Sequence, residues 1–439
     1  MARAKLWPVA LVAVAAAVLA GCSDKEVNPY DPLQDPDPPV VTSFAFDAGV
    51  ASWTTDEPAL CVVEYGRARG DYSHYAYEST KVHSRAHEAT LLGMEDGEEY
   101  AVRVRSLDRA GNEGHDASAT LPTTISGVAF GGTVMRLSMI DVGHGLAMVL
   151  TTPDGSNVLI DAARAERLDQ VVNFLDGHGI SYFDAAVATH YDSDHWGGFG
   201  TYDPGNPPDV PPEEVNGVLN LYWFGVFIAP DTRYLYGGMP DLLENKIERY
   251  DIEIVHVEQG DNSSNTDALD WDDTAGFEVE VLSAGVGGLI YDPDEEGDEG
   301  AMSNNNSVVL RIRFDGVTFV TTGDAEFFTE YRIIDYYGGN ALRADVLQVA
   351  HHGNDDASSE IWLDNVSPRI GLISNAMIDA ALEKEVVLQG LRAVDADYFV
   401  TDRVYPNTPR DADPSYGDLI VVTDGETIEV IIEEHELQW

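Results

Sequence analysis

Thr189-His190-Tyr191-Asp192-Ser193-Asp194-His195-Trp196-Gly197-Gly198 places two imidazoles and two carboxylates within six positions, directly after the apolar run Ala185 to Ala188. The run reads as a short buried strand, and a strand that stops in a polar loop can aim several side chains at one point. Neutral imidazole and ionised carboxylate suit a borderline or hard divalent cation. The spacing therefore predicts a metal site at a strand end.

Other charged groups fall at similar strand ends. Val308 to Phe314 alternates apolar residues on one face, turns at Asp315-Gly316, and returns through Val317 to Thr321 onto Gly323-Asp324. That is a hairpin delivering a carboxylate. Asp345 to Ala350 then leads to His351-His352-Gly353. Glu166 to Gly177 carries Leu168, Val171, Val172 and Leu175 at helical spacing, so strand, helix, strand and site follow in the order of a layered α/β sheet.

Taken with Met139-Ile140-Asp141-Val142-Gly143-His144-Gly145 and Val158-Leu159-Ile160-Asp161, these motifs resemble the metallo-β-lactamase superfamily, and within it the hydrolase domain of the ComEC/Rec2 competence proteins. The resemblance implies a four-layer αββα domain over residues 133–439 and a metal-dependent hydrolase that uses one or two divalent ions, zinc or manganese. It assigns His190 and Asp192 to one metal, Asp194 and His195 to the other, and Asp324 to the bridge between them. His351 or His352 becomes a ligand or the general acid, and Asp194 also orients the water. Two departures stand out. The only histidine between the first motif and Gly323-Asp324 is His256, inside an apparent strand, which reads as structural. After Ile370 to Ser374 the chain has Asn375-Ala376-Met377 where that branch has Gly-His-Pro, leaving Asp379 or Glu383 as substitutes. His144 stands where the related hairpin has Gln, at a turn that predicts a solvent-facing ring.

Ahead of this domain, residues 40–125 show period-two alternation broken by Gly, Asp and Pro turns, which predicts a β-sandwich. It resembles a fibronectin type III domain with Trp53 as core tryptophan and Tyr100 at the tyrosine corner. Cys61 alternates with Val63 and Tyr65 and reads as a core residue; His74, His83, His87 and His115 read as polar-loop residues. The whole chain is thus expected to be multidomain: an all-β sandwich followed by an α/β four-layer domain.

Residues 1–22 combine Arg3 and Lys5, an apolar run from Leu6 to Leu19, and Leu19-Ala20-Gly21-Cys22. This reads as a secretion signal, and it resembles a bacterial lipoprotein signal. Cys22 is then the lipidation site that attaches the protein to a lipid bilayer, with the cell envelope, and the outer membrane in particular, as its location. Residues 23–39, rich in Asp and Pro, form a tether.

Lys and Arg total 25 against 77 Asp and Glu, a formal charge of −52, while 44% hydrophobic residues are too many for a disordered chain. The acid therefore lies on folded surfaces and in loops such as the run Asp292 to Glu299, and it disfavours unaided nucleic-acid binding. Three functions remain: a phosphodiesterase or nuclease, a hydrolase of a small ester, lactone or phosphate ester, and a binding protein with a decayed site.

Overall fold

The computed structural model describes residues 37–67, 69, 72–116, 122, 124–200, 217–230, 241–285, 303–374, 381–401 and 417–434. The signal, Cys22, residues 23–36 of the tether, the acidic run and Asp379 lie outside them, as does the side chain of Glu383.

Two sheets are present among the described residues, one of 15 strands and one of six. At one end of the larger sheet, Asn157–Ala162, Tyr182–Val187, Trp223–Pro230 and Glu253–Val257 run parallel, as crossover connections demand. Antiparallel strands Ala147–Thr151, Met135–Met139, Asp418–Thr423 and Ile428–Glu433 continue it. In the smaller sheet the antiparallel strands Phe277–Ser283, Val309–Phe314 and Val317–Thr321 are extended by parallel Val346–Gln348, Ile370–Ile373 and Asp397–Val400.

The sheets face one another across a single apolar core that includes Leu137, Leu150, Ile160 and Val187 from one side and Val279, Leu310, Phe319 and Leu372 from the other. Both outer faces are also apolar and are covered. Helix Leu168–Gly177 presents Val171, Phe174 and Leu175 to the first sheet. Helices Phe327–Tyr337, Glu360–Val366 and Ala381–Ala393 present Ile333, Trp362, Leu363 and Leu391 to the second. The order helix, sheet, sheet, helix follows because each strand of the inner pair is apolar on both faces.

The N-terminal strands pack around a separate core containing Trp53, Tyr65, Tyr100 and Val104. Within this module Val50–Gly66 is one long strand. Its register with Ser84–Thr90 shifts between Thr54 and Ala59, where Pro58 has no amide to donate. The first half of the strand thereby pairs with Ser84–Thr90 and the second half with Glu99–Leu107. Tyr100 accepts a hydrogen bond from the Glu95 amide at 3.1 Å. Cys61 is buried, and burial pushes its thiol up to about 12.

Three of the N-terminal histidines differ from their polar-loop reading: His115 is on the strand Glu113–Asp116, paired with Arg105, and two others turn inward. His87 is buried in the strand Ser84–Thr90, stacked on Trp53 and hydrogen-bonded to Glu78 at 3.0 Å. His74 lies in the strand His74–Tyr77, stacked on Tyr65. Both occupy inward positions set by strand register, which a single histidine among polar neighbours does not reveal.

The N-terminal module is also continuous with the larger sheet, because His74–Tyr77 pairs with Ile428–Glu433. Charged contacts reinforce the seam. Arg105 makes a bidentate contact with Asp397, Tyr77 donates to Asp397 at 2.7 Å, and Tyr65 donates to Glu429 at 2.5 Å.

Candidate metal centre

Every site residue comes from the carboxyl end of a strand or from the loop behind it, the usual place for chemistry in a layered sheet. Asp161 ends Asn157–Ala162, His190 follows Tyr182–Val187, Asp324 follows Val317–Thr321, and His351 and His352 follow Val346–Gln348. The last two stretches are tied together: Thr322 donates its amide to Gln348 Oε1 at 2.6 Å, and Gln348 Nε2 donates to the Gly323 carbonyl at 3.1 Å. Gly323 has φ +54°, and a Cβ there would stand 2.8 Å from Thr189, so only glycine lets the two loops approach this closely.

Asp161 was visible as a motif residue without an assigned role, and the structure supplies one. Fully buried, it accepts from the Thr189 amide at 2.8 Å and the Thr189 hydroxyl at 2.6 Å, and it lies 2.7 Å from His195 Nδ1. A proton held on that Nδ1 leaves the Nε2 lone pair facing the centre. His352 is oriented in the same manner by the Ser374 carbonyl, 3.0 Å from its Nδ1.

Four imidazoles turn Nε2 toward Asp324 Oδ2: His195 at 3.1 Å, His352 at 3.5 Å, and His190 and His351 each at 4.0 Å. The ligand atoms at this centre form three sets: His190, His195 and Asp324; His144, Asp194 and His352; and, with His351, Glu326 and Asp356. His144 is therefore not solvent-facing; its Nε2 lies 2.8 Å from Asp194 Oδ2. His195 is grouped with His190 rather than with Asp194, because the one-turn helix Ser193–Trp196 sends successive side chains in different directions. Asp192 stays at the rim, its side chain 39% exposed and Oδ2 3.9 Å from His190 Nε2. His256 belongs to none of these sets: it sits on Glu253–Val257, with Nδ1 3.1 Å from the Pro230 carbonyl.

These residues fit a cation. His190 Nε2, His195 Nε2 and Asp324 Oδ1 are buried without a hydrogen-bond partner, and all three belong to the first set. Buried polar atoms of this kind are costly unless something fills the space between them. Burial and the charge of His195 push His190 down to about 4, leaving a neutral imidazole available as a ligand. Burial opposes ionisation of Asp324, but His195 and His352 beside it hold its carboxyl well below the usual range. Burial likewise opposes protonation of His195, which Asp324 and Asp161 overcome and raise. Without an ion, a protonated His195 supplies the positive charge that Asp324 needs.

His351 and His352 adopt left-handed backbone conformations, with φ of 49° and 56°, a strain that persists where the surroundings dictate it. His351 Nδ1 lies 2.7 Å from Asp356 Oδ1. Burial lowers the affinity of His351 for a proton, but Asp356, Asp324 and Glu326 outweigh it and raise the ring to about 9. The centre opens into a cleft of about 610 Å³ lined in part by Tyr191 and Trp196 of the metal loop and by Arg164, which belongs to no motif.

The chain is 26% identical to the competence protein ComA of Neisseria gonorrhoeae over 263 residues, 58% of this chain and 30% of that protein. It is similar to ComEC-type competence proteins. It is also 24% identical over 260 residues to ComE operon protein 3 of Bacillus subtilis, covering 54% of this chain and 28% of the relative. Recombination protein 2 of Haemophilus influenzae matches at 25% identity over 245 residues, 55% of this chain and 24% of its own. The chain thus spans less than a third of the length of these relatives. No protein-family model matches it. Among solved structures, purple acid phosphatase PPD1 from yellow lupin aligns over 90% of this chain and 74% of its own, at 9% identity and a TM-score of 0.19, a value too low to bear on fold or chemistry.

Proposed function

We propose that this chain is a metal-dependent hydrolase of the metallo-β-lactamase type that cleaves phosphodiester bonds, in nucleic acid or in a small phosphodiester. The observation that carries this reading is the meeting of four imidazole Nε2 atoms on one oxygen of Asp324, at 3.1 to 4.0 Å. His190, His195 and Asp324 would hold one divalent ion, zinc or manganese, with Asp192 closing that set from the rim; His144, Asp194 and His352 would hold a second. Such ions supply Lewis acidity and a nucleophilic water.

The chain's own groups do the rest. Asp161 and the Ser374 carbonyl fix the tautomers of His195 and His352. Asp194, ionised because His144 and His195 outweigh its burial, orients the attacking water by accepting a hydrogen bond from it. His351, protonated near neutrality and steered by Asp356, holds a proton at Nε2 for the leaving oxygen.

Location belongs to the same proposal: Cys22 is acylated and anchors the enzyme at the outer membrane. Cys22→Ser should then release it in soluble form, and an intact mass starting at an unmodified Met1 would rule the anchor out.

A second reading, hydrolysis of a small neutral ester or lactone, is favoured by the charge of −52. Both are tested by elemental analysis joined to turnover of bis-p-nitrophenyl phosphate and a lactone by the fragment starting after Pro39. Phosphodiester turnover that disappears together with bound metal in Asp324→Ala supports the first reading. Lactone turnover alone supports the second, and neither activity from a metal-loaded, folded protein returns the chain to a binding role.

A further inference from the structure

In a chain where acid outnumbers base threefold, with 25 Lys and Arg against 77 Asp and Glu, the cleft over the metal centre nevertheless holds a guanidinium. Arg164 is the one Lys or Arg among the described residues that line it. Its backbone is carefully held. Asp161 and Ala163, neither a glycine, adopt left-handed φ of 58° and 59° on either side of the turn that leads to Arg164. The metal loop packs directly beneath. Gly198 donates its amide to the Ala163 carbonyl at 2.8 Å, and a Cβ on Gly198 would lie 1.8 Å from the Ala162 carbonyl oxygen. A Cβ on Gly197 would lie 2.9 Å from the Ala165 amide. The loop that carries Asp194 and His195 is thus docked on the turn that presents Arg164.

The side chain is only loosely engaged. Nη2 is 3.6 Å from Asp194 Oδ2, beyond hydrogen-bond length, and the buried Nε has no hydrogen-bond partner. Asp194 is already bonded by His144 at 2.8 Å. With 42% of its side chain exposed, Arg164 can turn its fork toward a ligand above the centre.

We propose that Arg164 is the specificity residue of the site, binding the non-bridging oxygens of a phosphodiester and selecting an anionic over a neutral ester. This rests on the hydrolase reading above and narrows its substrate class. The planar fork suits a tetrahedral oxyanion, and a charge-assisted pair formed inside the cleft is less screened than one on the acidic outer surface.

Diphenyl phosphate and its neutral methyl triester differ in one negative charge at nearly equal shape. Their binding to the manganese-loaded protein is measured by calorimetry, with metal content determined for each variant. Arg164→Ala should weaken diphenyl phosphate roughly 10-fold to 100-fold, the span of a charged hydrogen bond, while leaving the triester unchanged. Arg164→Lys should recover part of the loss, which separates charge recognition from a folding defect. Unchanged diphenyl phosphate affinity in Arg164→Ala, equal weakening of both ligands, or no binding by the parent protein would overturn the proposal. Binding that depends on Arg164 without turnover of any phosphodiester would instead uphold this anion site and sink the hydrolase reading.

Discussion

Asp161 touches no solvent and no substrate, yet three donors converge on it. Asp161→Asn keeps its volume but replaces one acceptor oxygen with an amide that donates toward His195 Nδ1 or Thr189. The His195 tautomer is then no longer enforced. Outer partners of this kind typically contribute about 10–100-fold in metal affinity. Asp161→Asn should therefore lose metal by that factor in a competitive chelator titration, with the fold intact by circular dichroism. His256→Ala, on the exposed side of its strand, should leave metal content unchanged. Cys61, pushed up to about 12 by burial, should resist a thiol reagent at pH 8 in the native protein and react at once in denaturant.

Among the elements, the one-turn helix Ser193–Trp196 is too short to be stable alone, so its position depends on what it rests against. Its support is the turn after Asn157–Ala162, reached through Gly197 and Gly198. Gly198→Ala forces a methyl into the Ala162 carbonyl, and neither backbone can yield without moving Asp194 or Arg164. Overpacking of this type costs ~1–3 kcal/mol. The expected result is a lowered melting temperature together with weakened metal binding, whereas Gly177→Ala, where a Cβ meets nothing, should leave both unaltered.

On the scale of the whole molecule, the N-terminal module completes the larger sheet. Removing residues before Ile125 would strip His74–Tyr77 from Ile428–Glu433 and expose an apolar edge. A fragment that starts at Ile125 should aggregate in size-exclusion chromatography, and one that starts after Pro39 should elute as a folded species. The seam also carries a pH dependence. Burial raises the Glu429 carboxyl to about 7, although Tyr65 and the amides of Leu92 and Gly93 donate to it. A folded-state value above the unfolded one means that its contribution is complete below the unfolded value near 4.5 and is lost as pH rises through about 7. That shift corresponds to up to ~3 kcal/mol. Denaturation midpoints of the parent protein should fall across this window relative to Glu429→Gln. Finally, the charge of −52 repels polyanions, so if the proposed phosphodiesterase acts on single-stranded DNA, its cleavage should rise with sodium chloride, because the Debye length shrinks toward ~3 Å near 1 M. Turnover of a small neutral ester should not change.

Strand periodicity and local motifs in the sequence place His190, His195, Asp324 and His352 just after strand ends, and the family resemblance groups them into one site. Such patterns are local, each visible within a few residues of the side chain concerned. Which imidazole faces which carboxylate was beyond that reach. The pairing of His144 with Asp194 and of His195 with Asp161 and Asp324 depends on loops brought together from sequence separations of 34 to 129 residues, and on helix and turn geometry that decides each side chain's direction. Arg164 and Asp356 had no motif, because a single charged residue in a turn acquires meaning only from its neighbours in space. The union of the N-terminal module with the larger sheet was equally hidden. An edge strand such as His74–Tyr77 carries the same alternation whether it meets solvent or another strand, and only the folded arrangement supplies the partner.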